Sequence, residues 1–237
     1  MNSLRPTTAT LFIVAALVVS ACARTSEGEP VADSVATVSS ATSSAPSSTA
    51  AAPSSTAAGG QLEYGVVPTT RAPVPVDAVT CSPPAKPAVG TLAQVADPRA
   101  PRITVALPEG WGVSAGSGDV GAQMTGPGGA SATVTIATTQ LDAGAAFRAY
   151  TDDITAQAAI SAVSILPAEL CSYSGQKLMG TLADEPGEGI QFTDHVVHVW
   201  TNADDYLVAV HVQTPMGAVP DDAAIALLTD DFEIRIP

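Results

Sequence analysis

The chain has 237 residues and a formal net charge of −14, from 9 basic and 23 acidic side chains. Aromatic residues make up 4% of it, so a core must be built mainly from Val, Ile, Leu and Ala. A surface this acidic repels phosphate backbones and anionic lipid headgroups. This argues against nucleic acid as a partner and against membrane binding through a polybasic patch.

The N-terminus is typical of an export signal. Residues 9–19 (ATLFIVAALVV) form an apolar run that is too short for a membrane-spanning helix, which needs about 20 residues. The run fits the hydrophobic region of a signal peptide. The sequence Val19-Ser20-Ala21-Cys22 follows and resembles the lipobox of bacterial lipoproteins. We therefore expect a lipoprotein signal peptide at residues 1–21 and a lipid on Cys22; the alternative is an ordinary signal peptide with a nearby cysteine.

Lipidation of Cys22 would place the protein on the extracytoplasmic face of the cell membrane. Two or three acyl chains such as palmitate, at about 0.8 kcal/mol per buried methylene, anchor a protein firmly where one chain does not. Residues 22–90 are rich in Ser, Thr, Ala and Pro, and APSSTA occurs twice, at residues 45–50 and 52–57. Such a composition buries too little apolar surface to fold, and it predicts a disordered tether.

The remaining cysteines, Cys81 and Cys171, form an even pair in a chain that is expected to be exported. Such a pair predicts a disulfide bond. It would close a loop of about 90 residues and contribute about 4 kcal/mol by the chain-entropy relation. The alternative is a reactive thiol, but neither cysteine lies in a C-x-x-C spacing or close to a histidine in sequence.

Residues 91–237 predict one globular domain. A helix is expected to run to about Ile160, because the apolar residues of this segment fall on one helix face, and Asp142 can cap its start. A second helix is expected from about Asp221 to Leu228. Alternating or β-branched segments, several of them separated by turns, predict strands, and these lie at residues 102–107, 120–124, 132–137, 163–173, 176–182, 190–200, 206–213 and 233–236.

This order predicts an α+β fold, an antiparallel sheet with two helices packed on it. A first strand that ends in a Leu-Pro-x-Gly-Trp turn (Leu107, Pro108, Gly110, Trp111) resembles the opening of the Mog1/PsbP-like fold. With the lipobox and the spacer, the chain resembles the LpqN/LpqT group of actinobacterial lipoproteins over residues 102–237. That resemblance implies a non-enzymatic accessory or binding domain without catalytic residues, although the cysteine pair is not associated with the group.

The residues themselves offer few candidates for chemistry. A G-x-S-x-G spacing occurs at residues 112–116, but no strand-to-helix transition follows it, and the sequence has no recognisable Ser/His pair. If Trp200 opposes Tyr206 in a hairpin, His195 opposes His211, close enough for one metal ion but without a third ligand. A one-residue slip would separate the two histidines. His198 is expected to be a satisfied, partly buried core residue.

Two further features each allow two interpretations. The acidic loop at residues 184–188 could take a calcium ion, but it lacks the ligand spacing of an EF-hand and fits a solvated turn better. Trp111 and Trp200 could line a ligand groove, or they could be core residues of an aromatic-poor domain. No cofactor is expected.

The function that the sequence favours is therefore a membrane-anchored, non-catalytic binding or accessory domain of the cell envelope. Its partner would be an envelope protein or an apolar ligand. The alternative is a carrier of a lipid or other apolar envelope molecule, held between the sheet and the first helix, where the small residues Ala145, Ala146 and Ala149 could leave room for it.

Overall fold

The computed structural model describes residues 64–84 and 89–237, so the predicted signal peptide and Cys22 lie outside the described residues. Within these residues there are two α-helices, α1 (Ala143–Thr155) and α2 (Asp222–Thr229), and a 3-10 turn at Pro127–Gly129. The strands are β1 (Val79–Cys81), β2 (Gly90–Ala93), β3 (Arg102–Ala106), β4 (Gly112–Ala115), β5 (Val120–Thr125), β6 (Ser131–Thr139), β7 (Ile160–Pro167), β8 (Ser174–Glu185), β9 (Glu188–Trp200), β10 (Asp205–Pro215) and β11 (Glu233–Arg235).

The strands form two antiparallel sheets, which confirms the predicted α+β class. The large sheet has seven strands in the order β4-β5-β6-β10-β9-β8-β7, and the small sheet has four in the order β1-β11-β3-β2. No pattern in the sequence predicts the small sheet as a separate layer, because β1 and β2 are only three and four residues long.

Successive side chains of the large sheet point to opposite faces and enter two separate cores. On one face, Val197, Val199 and Val208 pack with α2 and with small-sheet residues such as Ile103. On the other face, a smaller cluster packs against α1, and it includes Phe147, Phe192 and Val196. The large sheet is therefore the central layer of the fold.

Helix α1 begins where its sequence predicts. The side chain of Asp142 accepts a hydrogen bond of 2.8 Å from the backbone N–H of Ala145, as an N-cap residue does. The helix ends at Thr155, five residues before the expected Ile160, because Ile160 already belongs to β7. The acidic loop, predicted at residues 184–188, is also shorter than expected. β8 ends at Glu185 and β9 begins at Glu188, which leaves a two-residue turn.

The packed part of the chain starts earlier than the predicted boundary at residue 90. Residues 64–84, called the lead segment below, contact the rest of the fold, and β1 within them pairs with β11. The predicted tether therefore overlaps the fold, because hydrogen bonds to distant strands hold a Pro-rich stretch that has little apolar content of its own. Neither helix of the described residues is long and apolar enough to cross a membrane.

The Leu-Pro-x-Gly-Trp turn places Trp111 in the core, 7% exposed, against Gly126. A Cβ on Gly126 would lie within 3.0 Å of three indole carbons of Trp111. The backbone at Gly126 is extended (φ −115°), so alanine is allowed there by conformation and is opposed by packing alone.

We expect Gly126→Ala to lower the free energy of unfolding by about 1–3 kcal/mol, the usual cost of overpacking a core. Urea unfolding of the purified chain measures it. Gly112→Ala is the matched control, since its Cβ would meet only Thr125 Oγ1 at 3.5 Å. A Gly126→Ala protein as stable as the Gly112→Ala protein would contradict the packing argument.

Candidate functional site

A cavity of about 340 Å³ lies between the lead segment and the end of the large sheet. The lead segment, the turn that precedes β8, and the strand β9 all contribute to its wall. The wall includes Ala72, Val74, Tyr173, Ser174, His198 and Trp200. Among the described residues that line it, none is an Asp, Glu, Lys or Arg, although the whole chain carries a net charge of −14.

Backbone and side-chain hydrogen bonds fasten the start of the lead segment to β8. Gly175 donates its N–H to the carbonyl of Gly65 at 2.9 Å. The hydroxyl of Ser174 accepts from the N–H of Val67 at 3.0 Å and donates to the carbonyl of the same residue at 3.1 Å. The cavity wall is thus built from two parts of the chain that lie more than 100 residues apart in sequence.

Two further contacts hold the later part of the lead segment. The side-chain amide of Asn202 accepts from the N–H of Val74 at 2.9 Å and donates to its carbonyl at 3.0 Å. Cys81 and Cys171 form the disulfide that the cysteine count predicts, with a Cα–Cα distance of 5.4 Å and a separation of 90 residues. Cys171 itself lines the cavity, so the covalent bond lies at the cavity wall.

Two residues with strained backbone, Cys171 and Ser172, line this cavity. The described non-glycine residues with positive φ are Asp77 (62°), Cys171 (49°), Ser172 (73°) and Asn202 (70°). Asp77 belongs to the lead segment, and the other three lie in the two turns that hold it. A non-glycine residue whose backbone lies in the left-handed region costs free energy. Such a residue persists only where the surrounding structure fixes it, and such residues are frequent at ligand-binding sites.

The two tryptophans have different roles. Trp111 is a core residue, whereas Trp200 lines the cavity. The guanidinium of Arg71 lies 5.9 Å from the ring centroid of Trp200, a cation–π distance, and forms an ion pair of 2.8 Å with Asp205. The lead segment therefore covers this indole from outside.

His198 is buried as expected, with 4% exposure, but it is not fully satisfied. Its Nε2 lies 3.1 Å from the carbonyl oxygen of Leu141. Its Nδ1 is buried and has no hydrogen-bond partner in residues 64–84 and 89–237. This unpartnered nitrogen belongs to a cavity-lining residue, and no pattern in the sequence indicates it.

The predicted pairing of His195 with His211 is wrong by one residue. The β9–β10 hairpin pairs Trp200 with Asp205, so His211 lies opposite Asp194 instead. The turn closes between Thr201 and Asp204, where Asn202 adopts positive φ. The two histidines point to opposite faces of the sheet, and within the described chain no group of three His, Cys, Asp or Glu residues could hold a metal ion.

The corrected register creates a buried polar cluster beneath α1. Asp194, fully buried, receives hydrogen bonds from Tyr150 of α1 at 2.9 Å and from Nδ1 of His211 at 2.6 Å. Burial and the neighbouring Asp194 raise the pKa of Tyr150, so its hydroxyl stays protonated and donates. The cluster links the helix to the sheet and neutralises a carboxylate that would otherwise be buried alone.

His211 is the titrating member of this cluster. Burial alone would lower its pKa, but the hydrogen bond and charge of Asp194, with a hydrogen bond to Gln213, raise it above the usual 6.5. The protonated ring therefore stabilises the fold fully below about pH 6.5. Because the folded-state pKa is the higher one, this contribution is lost as the pH rises through it.

The pKa of His195 shifts in the opposite direction from that of His211. Its two ring nitrogens lie 2.8 Å and 3.0 Å from the carbonyl oxygens of Thr229 and Ala168. Burial lowers its pKa, so at neutral pH the uncharged ring donates to one of the two carbonyls. Its contacts join β9 to the end of α2, a structural role rather than a metal ligand.

We expect Asp194→Asn to move the pKa of His211 from above 6.5 to below it, because burial then acts without the opposing carboxylate. An NMR pH titration of the His211 ring measures this pKa. Tyr150→Phe is the control: it keeps the carboxylate and should leave the pKa of His211 raised. A pKa that is unchanged by Asp194→Asn would show that Asp194 does not hold the proton on His211.

No family model matches this sequence, and no curated protein matches it. Among solved structures, the fold is similar to the crystal structure of LpqN, which is involved in cell envelope biogenesis of Mycobacterium tuberculosis. The two share 14% sequence identity at a TM-score of 0.45, over 62% of this chain and 91% of that chain. Nothing about fold, ligand or activity follows from this likeness.

Proposed function

We propose that this protein is an exported lipoprotein, anchored through Cys22 to the outer face of the cell membrane, whose folded part is a non-catalytic binding domain of the cell envelope. The cavity between the lead segment and β9 is its ligand site. The export motif at residues 19–22 and the disulfide support the location, since disulfides persist in oxidising compartments outside the cytoplasm.

The observation that carries the binding function is the construction of the cavity. A disulfide, an asparagine side chain and a serine hydroxyl fix the lead segment as one wall before any ligand arrives. A site that is rigid in advance avoids the entropy cost of ordering a loop on binding. A volume of about 340 Å³ is within the range of small-molecule sites.

The chemistry of the wall supports binding rather than turnover. The one histidine that lines it is held by Leu141 through Nε2, and no carboxylate among the described lining residues orients or assists it. Both described thiol sulfurs are joined in the disulfide. A nucleophile paired with a positioned base, which covalent catalysis requires, is therefore not formed by the described cavity wall.

The alternative of an apolar carrier, with the ligand between the sheet and α1, gains no support from that interface. Phe147, Phe192 and Leu178 pack there with exposures of 1–3%. Tyr150 and Asp194 add a polar contact across the same interface. An apolar chain could enter only by displacing these side chains, so the cavity at the lead segment is the better candidate.

We expect the protein purified from its own envelope to carry a small molecule, and we expect Ala72→Trp to remove it. Ala72 is exposed and lines the cavity, so a larger ring there fills the site without opening the core. Native mass spectrometry of the full chain measures the bound mass.

Ala159→Trp is the matched control, because Ala159 is exposed and does not line this cavity. It should keep the bound mass at the wild-type level. A bound lipid that survives Ala72→Trp would favour the carrier hypothesis, and turnover of an envelope substrate that one side-chain change abolishes would overturn the non-catalytic assignment.

We expect Cys22→Ala to abolish acylation and to leave the chain unprocessed at residue 21, because no other side chain in the motif can form the thioether. Membrane fractionation and intact-mass measurement check both results. Ala23→Ser, one residue later, should be processed and acylated like the wild type. Unchanged processing and membrane association in Cys22→Ala would show that the lipid anchor is not at this residue.

A further inference from the structure

Strand β7 is the longest edge strand in the described part of the fold. It ends the strand order of the large sheet and pairs with β8 alone among the described strands. The other edge of that sheet, β4, has four residues, and the small-sheet edges β1 and β2 have three and four. Seven of the eight residues of β7 are exposed, and Val163 is half-buried. One side of its backbone is therefore open to another strand.

This edge lacks the features that usually prevent strand addition, which are charged side chains, bulges, internal prolines and short length. The sequence of β7, ISAVSILP, contains no charged residue, although the chain carries a net charge of −14. Its register with β8 is regular from Ile160 to Pro167. The side chains of Ile160, Ile165 and Leu166 are exposed. An uncharged and partly apolar edge of this length is suited to pairing with a further strand.

The direction of the free backbone groups follows from the pairing with β8. Ala168 donates its N–H to the carbonyl of Gly175 at 2.9 Å, in the same register that sets Pro167 opposite Gln176. Hydrogen-bonding groups alternate in direction along a strand, so even-numbered residues of β7 point towards β8 and odd-numbered ones point away. The free groups are the N–H and C=O of residues 161, 163 and 165, and the carbonyl alone of Pro167.

Two copies of β7 can pair through these free groups. In an antiparallel pair related by a two-fold axis, facing residues lie on the same side of the sheet, so the axis passes through a residue. The two residues nearest the middle of β7 are Val163 and Ser164. An axis at Val163 pairs Val163 with itself and Ser161 with Ile165, and every N–H finds an acceptor. An axis at Ser164 sets Ser161 against Pro167, which has no N–H to donate.

The axis at Val163 also matches the side chains. Ile160 and Leu166 lie on one face of β7, because they are six residues apart, and this register sets each of them opposite the other. Their backbone groups point towards β8, so they form the closer kind of cross-strand pair, with Cα atoms about 4.5 Å apart. The junction then has an apolar pair at each end and two valines at its centre.

A second copy fits this edge better than the chain ahead of the lead segment does. The lead segment begins near β7, since Gly175 donates to Gly65. However, residues 54–61 are Ser, Thr, Ala, Gly and Gln, and so bring no large apolar side chain to cover Ile160 and Leu166. A charged strand of another protein would find no opposite charge on β7. A second β7 is uncharged and carries the matching apolar residues.

We infer that β7 is an interface between two copies of this chain, which pair edge to edge about a two-fold axis at Val163 and join their seven-stranded sheets into one. This inference goes beyond the proposed function and does not depend on the cavity. The edge supplies eight residues a side. A standard interface uses about 20–30, so the dimer should be weak and reversible.

A cysteine at the axis tests the register. Residues that face each other in a hydrogen-bonded pair have Cα atoms about 5.5 Å apart, within the range of a disulfide. We expect Val163→Cys, in cells that produce the full-length chain, to form a covalent dimer that a reductant dissociates. Non-reducing electrophoresis measures the dimer, and peptide mapping identifies the linked cysteines.

Ser164→Cys is the matched control. In the inferred register, position 164 faces position 162, and its own copy is a diagonal neighbour about 7–8 Å away. A disulfide does not form beyond about 7 Å without backbone movement, so roughly tenfold less covalent dimer is expected from this variant.

A proline at position 165 tests the hydrogen bonds of the junction. The N–H of Ile165 points away from β8, so Ile165→Pro leaves the pairing with β8 intact. By symmetry the junction loses two hydrogen bonds, and in the Val163→Cys background roughly tenfold less covalent dimer is expected. Ile165→Ala loses the same side chain but keeps the N–H, and it should retain most of the dimer. Intact mass with the Cys81–Cys171 disulfide formed shows that each variant has folded.

Four results would overturn the inference. They are no covalent dimer with Val163→Cys, more dimer with Ser164→Cys than with Val163→Cys, equal dimer with Ile165→Pro and Ile165→Ala, and linkage of position 163 to a different protein. The wild-type edge is kept in the Val163 and Ser164 comparison, so it decides the matter even if the proline variant does not fold.

Discussion

The attachment of residues 64–84 to the domain is the constraint on which the site depends. The disulfide joins Cys81 in β1 of the small sheet to Cys171, in the turn that leads into β8 of the large sheet. One covalent bond therefore connects elements of both sheets. By the chain-entropy relation, closing a loop of this length contributes about 4 kcal/mol. Without the lead segment, one wall of the cavity would not exist.

The cavity and the cluster beneath α1 satisfy their polar groups in different ways. At Asp194, each donor and acceptor has a partner inside the protein, and helix and sheet are fixed together by it. At His198, one ring nitrogen is used internally and the other has no partner in the described residues. A satisfied cluster rigidifies a core, whereas an unsatisfied buried atom costs free energy that the rest of the fold must offset.

Local patterns in the sequence were sufficient for most of the domain. Alternation predicted the long strands, and the Asp142 cap predicted the start of α1. The two-cysteine count predicted the disulfide. These features depend on neighbouring residues or on composition, so a single sequence contains the information. The short strands β1 and β2 carry too few residues for a pattern to show.

The candidate site could not be predicted in the same way. The β9–β10 turn closes between Thr201 and Asp204, and in this register His211 lies opposite Asp194 and not opposite His195. The cavity wall needs contacts across more than 100 residues, which no local pattern encodes. The hydrogen bonding of His198 depends on where the fold positions Leu141 and the lead segment around its ring.

The position of the lead segment also has a mechanical consequence. Any tension applied to the chain ahead of Tyr64 enters the domain at the cavity wall. It loads the hydrogen bonds of Tyr64, Gly65 and Val67 to β8 first. The Arg71–Asp205 ion pair and the bonds between Val74 and Asn202 follow. The covalent bond at Cys81, the last residue of β1, stops the peeling once the pairing of Val79 with Arg235 has been loaded. A pull on the N-terminal side would thus unseat one wall of the cavity while the rest of the domain stays folded.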